Sequence, residues 1–385
     1  MTDLKSGRIS PFCGAFGGRR VLVTGHTGFK GAWLASWLLE LGAEVSGYSL
    51  EPPTKPSMFE LCGLAGRLDH HVGDLRCREE LVAEIKRTRP ELVFHLAAQA
   101  LVLESYRSPA ETFETNLMGT VNLLEAVRES GRPCVVVAVT SDKCYDNTGS
   151  REAYSEDDRL GGRDPYSASK ACAEIAVSAY RKSFFPVEGY SEHGVALASV
   201  RAGNVIGGGD WGADRIVPDI VRALSQARPA GVRNPRAVRP WQHVLDPLSG
   251  YLWLAASMAV RGPEGLAEAW NFGPEPSGEV TVGELADRII SAWGKGSWED
   301  ILDRDAPHEA EYLQLCCGKA AKKLGWRTVM DLDSTVEATV AWYRRSLSGG
   351  DMLEFTLDQV REYVRRACEI GVAWTGCAPE GHGLA

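Results

Sequence analysis

Arg20-Val-Leu-Val-Thr-Gly-His-Thr-Gly-Phe-Lys-Gly-Ala-Trp-Leu-Ala-Ser-Trp-Leu-Leu39 decides the fold class. Arg20 to Val23 reads as a short strand, and Ala32 to Leu39 as an apolar helix. Between them, Gly25, Gly28 and Gly31 recur at every third position. A Gly-x-x-Gly-x-x-Gly by itself is weak evidence. A strand before it and a helix after it make it a place where bare backbone N–H groups meet a pyrophosphate at a helix N-terminus. Gly25, His26, Thr27, Gly28, Phe29, Lys30 and Gly31 are therefore candidate dinucleotide contacts. The next strand, Glu44 to Tyr48, runs into Ser49, where an acidic residue often holds a ribose 2′-hydroxyl. Glu51 stands nearby and no Arg follows directly, which favours NAD over NADP.

A second signal lies downstream. Cys134-Val-Val-Val-Ala-Val139 is a continuous run of the kind buried on both faces of a parallel sheet. Thr140-Ser141-Asp142-Lys143 then sits at its carboxyl end, where open α/β sheets bind ligands. Tyr166 and Lys170 stand one helical turn apart, so both project from one face. An ammonium held there lowers the phenol's pKa and can grip a nicotinamide ribose. Ser141, Asp142, Lys143, Tyr166 and Lys170 form the candidate catalytic set.

Strand patterns recur near 21, 45, 70, 93, 135 and 197 with helical patterns between them, the rhythm of a doubly wound parallel α/β sheet. Polar and glycine motifs fall at strand ends. Asp74, Leu75, Leu96, Ala97 and Ala98 are expected to line the cofactor, with Gln99 reaching substrate. The expected organisation is a flexible segment over 1–18, an NAD-binding Rossmann domain over 19–205, a smaller substrate-binding lobe over 206–348 and a tail over 349–385. Strand-like stretches near 241–245 and 270–274 are expected to cross back to the first domain.

The 385 residues are 44% hydrophobic and 24% charged, with a net charge of -9. An acidic balance argues against nucleic acid as the main partner. No cationic stretch followed by an apolar one opens the chain, and no apolar run approaches about 18 residues, so a cytoplasmic location with no membrane partner is expected. The 10 cysteines contain no C-x-x-C. They read as reduced thiols rather than a disulfide framework or a zinc clamp, and no metal is expected. Trp33 and Trp37 read as a core or interface stripe, and His95 as a packed strand-end residue.

TGxxGFxG at 24–31 and YxxxK at 166–170 resemble the extended short-chain dehydrogenase/reductase superfamily. Within it the chain is similar to the CDP-glucose 4,6-dehydratases. That resemblance spans roughly residues 19 to 345 and is carried by HLAAQ (95–99), TSDKCYDN (140–147), DPYSASK (164–170), VRAGNVIGGGDW (200–211), RPWQHVLDPLSGYL (239–252), WNFGP (270–274) and HEAEYL (308–313). It implies a tightly bound NAD, a CDP-hexose substrate and a 4-keto-6-deoxy product. It also implies roles: Tyr166 as base for the C4 hydroxyl, Ser141 as its hydrogen-bond partner, Asp142 as acid toward the C6 hydroxyl and Lys143 as base at C5. Many relatives carry Glu at the last position. Asn204, Arg215, Arg239 and His308 are candidate substrate ligands, since an Arg can grip a pyrophosphate bidentately. Pairing through the Val121–Val127 stretch and the helix carrying Lys170 is implied, giving a homodimer or homotetramer.

Three departures from the family pattern stand out, the first two near where a sugar nucleotide would sit. The segment 148–153 replaces an aromatic-rich loop, Leu103 stands where the family tends to have Arg, and Cys316 replaces an acidic residue. The alternatives are an NAD-dependent sugar-nucleotide 4-epimerase, which has no use for Asp142 and Lys143 at C6 and C5, and a non-catalytic NAD-binding homologue.

Overall fold

The structure, a computed structural model, describes residues 10–149, 151–274, 280–301 and 312–376. Its centre is a sheet of seven parallel strands built from β1 (Arg20–Thr24), β2 (Glu44–Ser49), β3 (Asp69–Val72), β4 (Leu92–His95), β5 (Cys134–Val139), β6 (Val195–Arg201) and, after three short strands, β10 (Ala269–Asn271). The order is β10-β6-β5-β4-β1-β2-β3. The chain starts in the interior, winds outward through β2 and β3, then returns to β4 on the other side of β1. That reversal opens a crevice between the carboxyl ends of β1 and β4, the place where such sheets bind ligands.

The two faces of the sheet are read directly from strand alternation. Val135, Val137 and Val139 of β5 join one core with Trp33, Trp37, Leu248, Val360 and Trp374, while Val136 and Ala138 join the other with Leu81, Leu123, Val127 and Val177. A strand apolar on both faces needs helices on both, which is why the Cys134–Val139 run contains no alternation.

Two segments depart from expectation. Residues 10–18, expected to be flexible, are anchored: Phe12 and Phe16 are buried, and Phe12 stacks on Trp374 with ring centroids 4.9 Å apart. Trp374 in turn stacks on Tyr363 of the Met352–Glu369 helix, so both ends of the described chain share one aromatic cluster. Composition averages over a Gly- and Arg-rich stretch and misses two aromatics that only a distant partner can bury. Near 241–245, only β9 (Gln242–His243) is extended; it pairs with β7 (Val205–Ile206) rather than joining the main sheet. Leu245 already begins a helix, Leu245–Arg261, whose side chains are almost all buried against the sheet. Trp270, by contrast, lies in β10 and pairs with Val200 of β6. The 206–348 stretch thus gives a helix and a strand to the central unit. A small pair, β8 (Ala230–Val232) with β11 (Trp298–Asp300), lies outside it.

Candidate active site

The three glycines of the β1 turn meet three different constraints. Gly25 has φ +77°, and a Cβ there would lie 2.6 Å from the backbone nitrogen of Ala97, so it permits the turn and the approach of the β4 end. A Cβ on Gly31 would lie 2.1 Å from the Gly25 carbonyl oxygen, so it permits close packing of helix on turn. A Cβ on Gly28 would meet only that same oxygen, at 3.3 Å, and is otherwise open. Gly28 therefore bares the N-terminus of the Phe29–Glu40 helix to the crevice, and a dinucleotide pyrophosphate fits there.

Around that cradle the expected contacts divide. His26 turns beneath β2, where a Cβ on Gly47 would lie 2.4 Å from its ring. Its Nε2 pairs with His70 Nδ1 at 2.7 Å, and burial, with His70 beside it, pushes it down to about 3, so it is neutral. Its side chain is a packing element, and only its backbone faces the turn. Thr27 Oγ1 pairs with Ser49 Oγ at 2.7 Å and donates to the Leu50 carbonyl at 2.9 Å. Asp74 is held by Arg76, which keeps its carboxyl below the usual range. Leu75 is buried where a Cβ on Gly119 would lie 2.9 Å from it. Leu96, Ala97 and Ala98 follow β4 along the crevice wall, half-buried. Lys30 sits one residue behind Phe29 with its ammonium 5.7 Å from the Tyr251 ring centroid. Burial lowers its pKa to about 8, opposed by the Asp142 carboxylate.

The candidate catalytic set converges at the end of β5. Ser141 caps the short turn Asp142–Cys144 by accepting the Lys143 N–H at 3.2 Å. The Ser141 hydroxyl contacts Asp142 Oδ1 at 3.0 Å and hydrogen-bonds the Tyr166 phenol. Tyr166 and Lys170 project from the Pro165–Ser183 helix, which Asp164 caps by accepting the Ser167 N–H at 2.9 Å. Burial pushes Tyr166 up to about 12, while the Ser141 bond and the Arg215 charge pull it down. Burial also lowers Lys170 to about 8, against the Glu174 carboxylate, and its Nζ donates to the Val139 carbonyl at 3.4 Å. Lys143 lies half-buried beside this group.

Asp142 is buried, and its Oδ2 accepts from Asn204 Nδ2 at 3.3 Å. Asn204, named from sequence as a substrate ligand, is thus a neighbour of the candidate acid, held at φ +52°. Gly203 makes the approach possible, since a Cβ there would lie 1.7 Å from Asp142 Oδ2. Arg215 is half-buried at the start of the Ile216–Ser225 helix and pairs with Asp210 at 2.8 Å. Arg239 is buried, its Nη1 donating to the Val238 carbonyl at 2.9 Å. Gln99 gives its amide to Leu101 and Thr112, both at 3.0 Å, and so clamps its own loop. Leu103 is half-buried on the Val102–Arg107 helix. His308 lies outside the described residues. Sequence reasoning did not single out Gly203, Glu174 or Tyr251. Glu174 had a visible signal, standing one further turn along the Tyr166–Lys170 face; Tyr251 had none, because it comes from a helix distant in sequence.

The sequence model of the NAD dependent epimerase/dehydratase family matches residues 21–273. The chain belongs to that family. Among curated members, the CDP-glucose 4,6-dehydratase of Salmonella typhimurium is 49% identical over 349 residues, covering 90% of this chain and 96% of the relative. A dTDP-glucose 4,6-dehydratase of Streptomyces antibioticus is 29% identical over 346 residues, 84% of this chain and 92% of its own. Among solved structures, the dTDP-glucose 4,6-dehydratase of Streptomyces venezuelae with NAD bound superposes with a TM-score of 0.71 at 25% identity, covering 84% of this chain and 97% of that one. A UDP-glucose 4-epimerase of Thermotoga maritima reaches the same TM-score, 0.71, at 22% identity, a likeness of fold alone. The family match takes in all of the β1 turn, the β5 end and the Tyr166 helix. It stops at Gly273, just past β10, so β11 and the C-terminal helices lie beyond it. No described helix is long and apolar enough to cross a membrane.

Proposed function

We propose that this protein is an NAD-dependent sugar-nucleotide 4,6-dehydratase, a hydro-lyase converting CDP-glucose to its 4-keto-6-deoxy form. The observation that carries the reading is the junction of Ser141-Asp142-Lys143 with Tyr166 at one strand end, Ser141 touching both Asp142 and the phenol. A 49% identical relative named for this reaction supports the choice of CDP-glucose. Elimination of water across C5 and C6 of a hexose is difficult until C4 is a ketone, which acidifies the C5 proton. Oxidation therefore comes first. The chemistry NAD supplies when bound is hydride acceptance from C4 and its return at C6, so net redox is zero.

Tyr166 as phenolate takes the C4 hydroxyl proton, with Ser141 orienting that hydroxyl. Burial disfavours the phenolate, and the Ser141 hydrogen bond and the Arg215 charge oppose it. Lys143 removes the C5 proton. Asp142 protonates the departing C6 hydroxyl, and burial in contact with Asn204 and Ser141 keeps it aimed at one side of the site. Gln99, Asn204, Arg215, Arg239 and His308 are the proposed substrate-side residues, the arginines for the pyrophosphate. Exposed Ile175 and Met118 lie on or beside the Pro165–Ser183 and Gly119–Ser130 helices and support pairing of two copies there, as a dimer or tetramer. A cytoplasmic enzyme with no nucleic-acid or membrane partner completes the reading.

Purified protein incubated with CDP-, dTDP-, GDP- and UDP-hexoses tests it. CDP-glucose should give a product with 4-keto absorbance in alkali and the mass of one water lost. In deuterated solvent, label should enter C5. A 4-epimer with its C6 hydroxyl intact and no solvent label would overturn the dehydratase assignment in favour of an epimerase.

A further inference from the structure

Behind the site lies a buried polar chain built on Glu174, whose carboxylate also acts on Lys170. Glu174 follows Tyr166 and Lys170 along one face of the Pro165–Ser183 helix and is 2% exposed. Its Oε1 accepts from Thr140 Oγ1 at 2.5 Å, and its Oε2 accepts from Ser199 Oγ and Arg201 Nη2, both at 2.8 Å. Arg201, 3% exposed at the end of β6, reaches with its other terminal nitrogen to Tyr145 Oη at 2.7 Å and to the Glu156 carbonyl at 3.1 Å. Tyr145 Oη donates to Asn271 Oδ1 of β10 at 2.7 Å, and the guanidinium lies 4.9 Å from the Tyr145 ring centroid.

The sequence positions give this chain its meaning. Thr140 immediately precedes Ser141, and Tyr145 follows Lys143 by two residues. Both ends of the Ser-Asp-Lys segment are therefore tied, through one carboxylate and one guanidinium, to the helix that carries Tyr166 and Lys170. An isolated buried ion pair is weak evidence of a contribution to stability, because desolvation offsets the attraction. Here nearly every lone pair of Glu174 has a donor, and both terminal nitrogens of Arg201 are used on different elements. A guanidinium can span such a gap in two directions at once, which a lysine ammonium cannot.

We propose that Glu174, Arg201 and Tyr145 are positioning residues that hold the Asp142–Lys143 elimination pair in register with the Tyr166–Lys170 oxidation pair. The proposal rests on the dehydratase reading for its chemical consequence. It does not rest on that reading for its physical one, which is that residues 140–146 are rigid only while the brace is whole.

The brace couples the two halves of a reaction in which an unpaired oxidation would strand the enzyme with reduced cofactor. Loosening the pair at Asp142 and Lys143, with the helix left in place, should slow elimination more than oxidation. Displacements on the scale of one ångström from the reacting geometry cost roughly 10- to 100-fold.

The test compares Tyr145→Phe, Arg201→Lys and Glu174→Gln with the parent protein. Tyr145→Phe keeps the ring against the guanidinium and removes one hydroxyl, so it should fold even if Glu174→Gln, which leaves Arg201 buried without its counter-charge, does not. Two readouts are taken. Hydrogen exchange of peptides covering 140–146 should accelerate in each folded variant while peptides from β5 and β4 keep their protection. During turnover of CDP-glucose, absorbance of reduced nicotinamide should accumulate, kcat should fall roughly 10- to 100-fold and KM should hold. Unchanged exchange over 140–146 in Tyr145→Phe and Arg201→Lys overturns the brace. So does a loss in which oxidation and elimination decline together with melting temperature, the mark of a merely structural role. If the parent protein makes no 4-keto-6-deoxy product, the dehydratase reading fails, and the exchange measurement still decides the brace.

Discussion

Asn204 donates its side-chain amide to Oδ2 of Asp142 at 3.3 Å, across a glycine, Gly203, whose missing Cβ is what lets the carboxyl sit there. The acid proposed for elimination is thus oriented from the segment that follows β6, while its backbone belongs to the turn that follows β5. Gly203→Ala should displace the carboxyl and slow loss of the C6 hydroxyl, with NAD binding retained. Asp142→Asn and Lys143→Met should go further, by roughly the 10²- to 10⁴-fold typical of removing a general acid or base. Reduced cofactor building up in stopped-flow traces is the expected signature. Elimination at the parental rate in Asp142→Asn would remove Asp142 from the mechanism.

The glycine turn allows a contrast between binding and folding. Gly28→Val places a branched side chain where the only close neighbour is the Gly25 carbonyl, so the fold should survive and NAD affinity should collapse. Gly31→Val collides with the Gly25 and His26 backbone and should lower the melting temperature itself. Titration of NAD alongside thermal melts separates the two. Parental affinity in Gly28→Val contradicts the cofactor site.

Tyr166→Phe removes the phenol that Ser141 contacts and leaves the helix and Lys170 in place. C4 oxidation should stop, and no reduced cofactor should appear on adding CDP-glucose, in contrast to the Asp142 variant. Turnover at the parental rate would exclude Tyr166 as the base.

A carboxyl remote from the chemistry predicts a pH dependence of stability. Asp246 is fully buried under the Met352–Glu369 helix, accepting from the Val329 N–H at 2.7 Å and Tyr363 Oη at 2.9 Å, and its Oδ2 has no partner. Burial raises its pKa to about 7, against the pull of Val329, Tyr363 and the nearby Met330 N–H. A carboxyl whose folded pKa is raised holds its proton in the native state while the unfolded chain has released it. Stability is therefore lost as pH rises from the ordinary carboxyl range through about 7, by on the order of a few kcal/mol, and is flat above that. Asp246→Asn keeps both acceptor bonds and cannot ionise. Its melting temperature relative to the parent should rise from pH 5 to pH 8, and an unchanged difference would show that Asp246 does not titrate in this window.

The sequence by itself determined the doubly wound sheet and named the candidate residues that meet at the end of β5. Strand period, the glycine spacing at 25, 28 and 31, and the single helical turn between Tyr166 and Lys170 are local properties, legible because backbone geometry repeats over a few residues. Proximity across the sheet was not local. That His26 is spent on His70 and that Asn204 faces Asp142 depend on which strand ends meet. The same holds for Phe12 and Trp374, at opposite ends of the chain and stacked, and for Thr140 and Tyr145 drawn to Glu174 through Arg201. Only the tertiary structure decided these partners, because a polar or aromatic side chain leaving water is stable with any well-placed partner, and the chain's long-range path alone selects which one it meets.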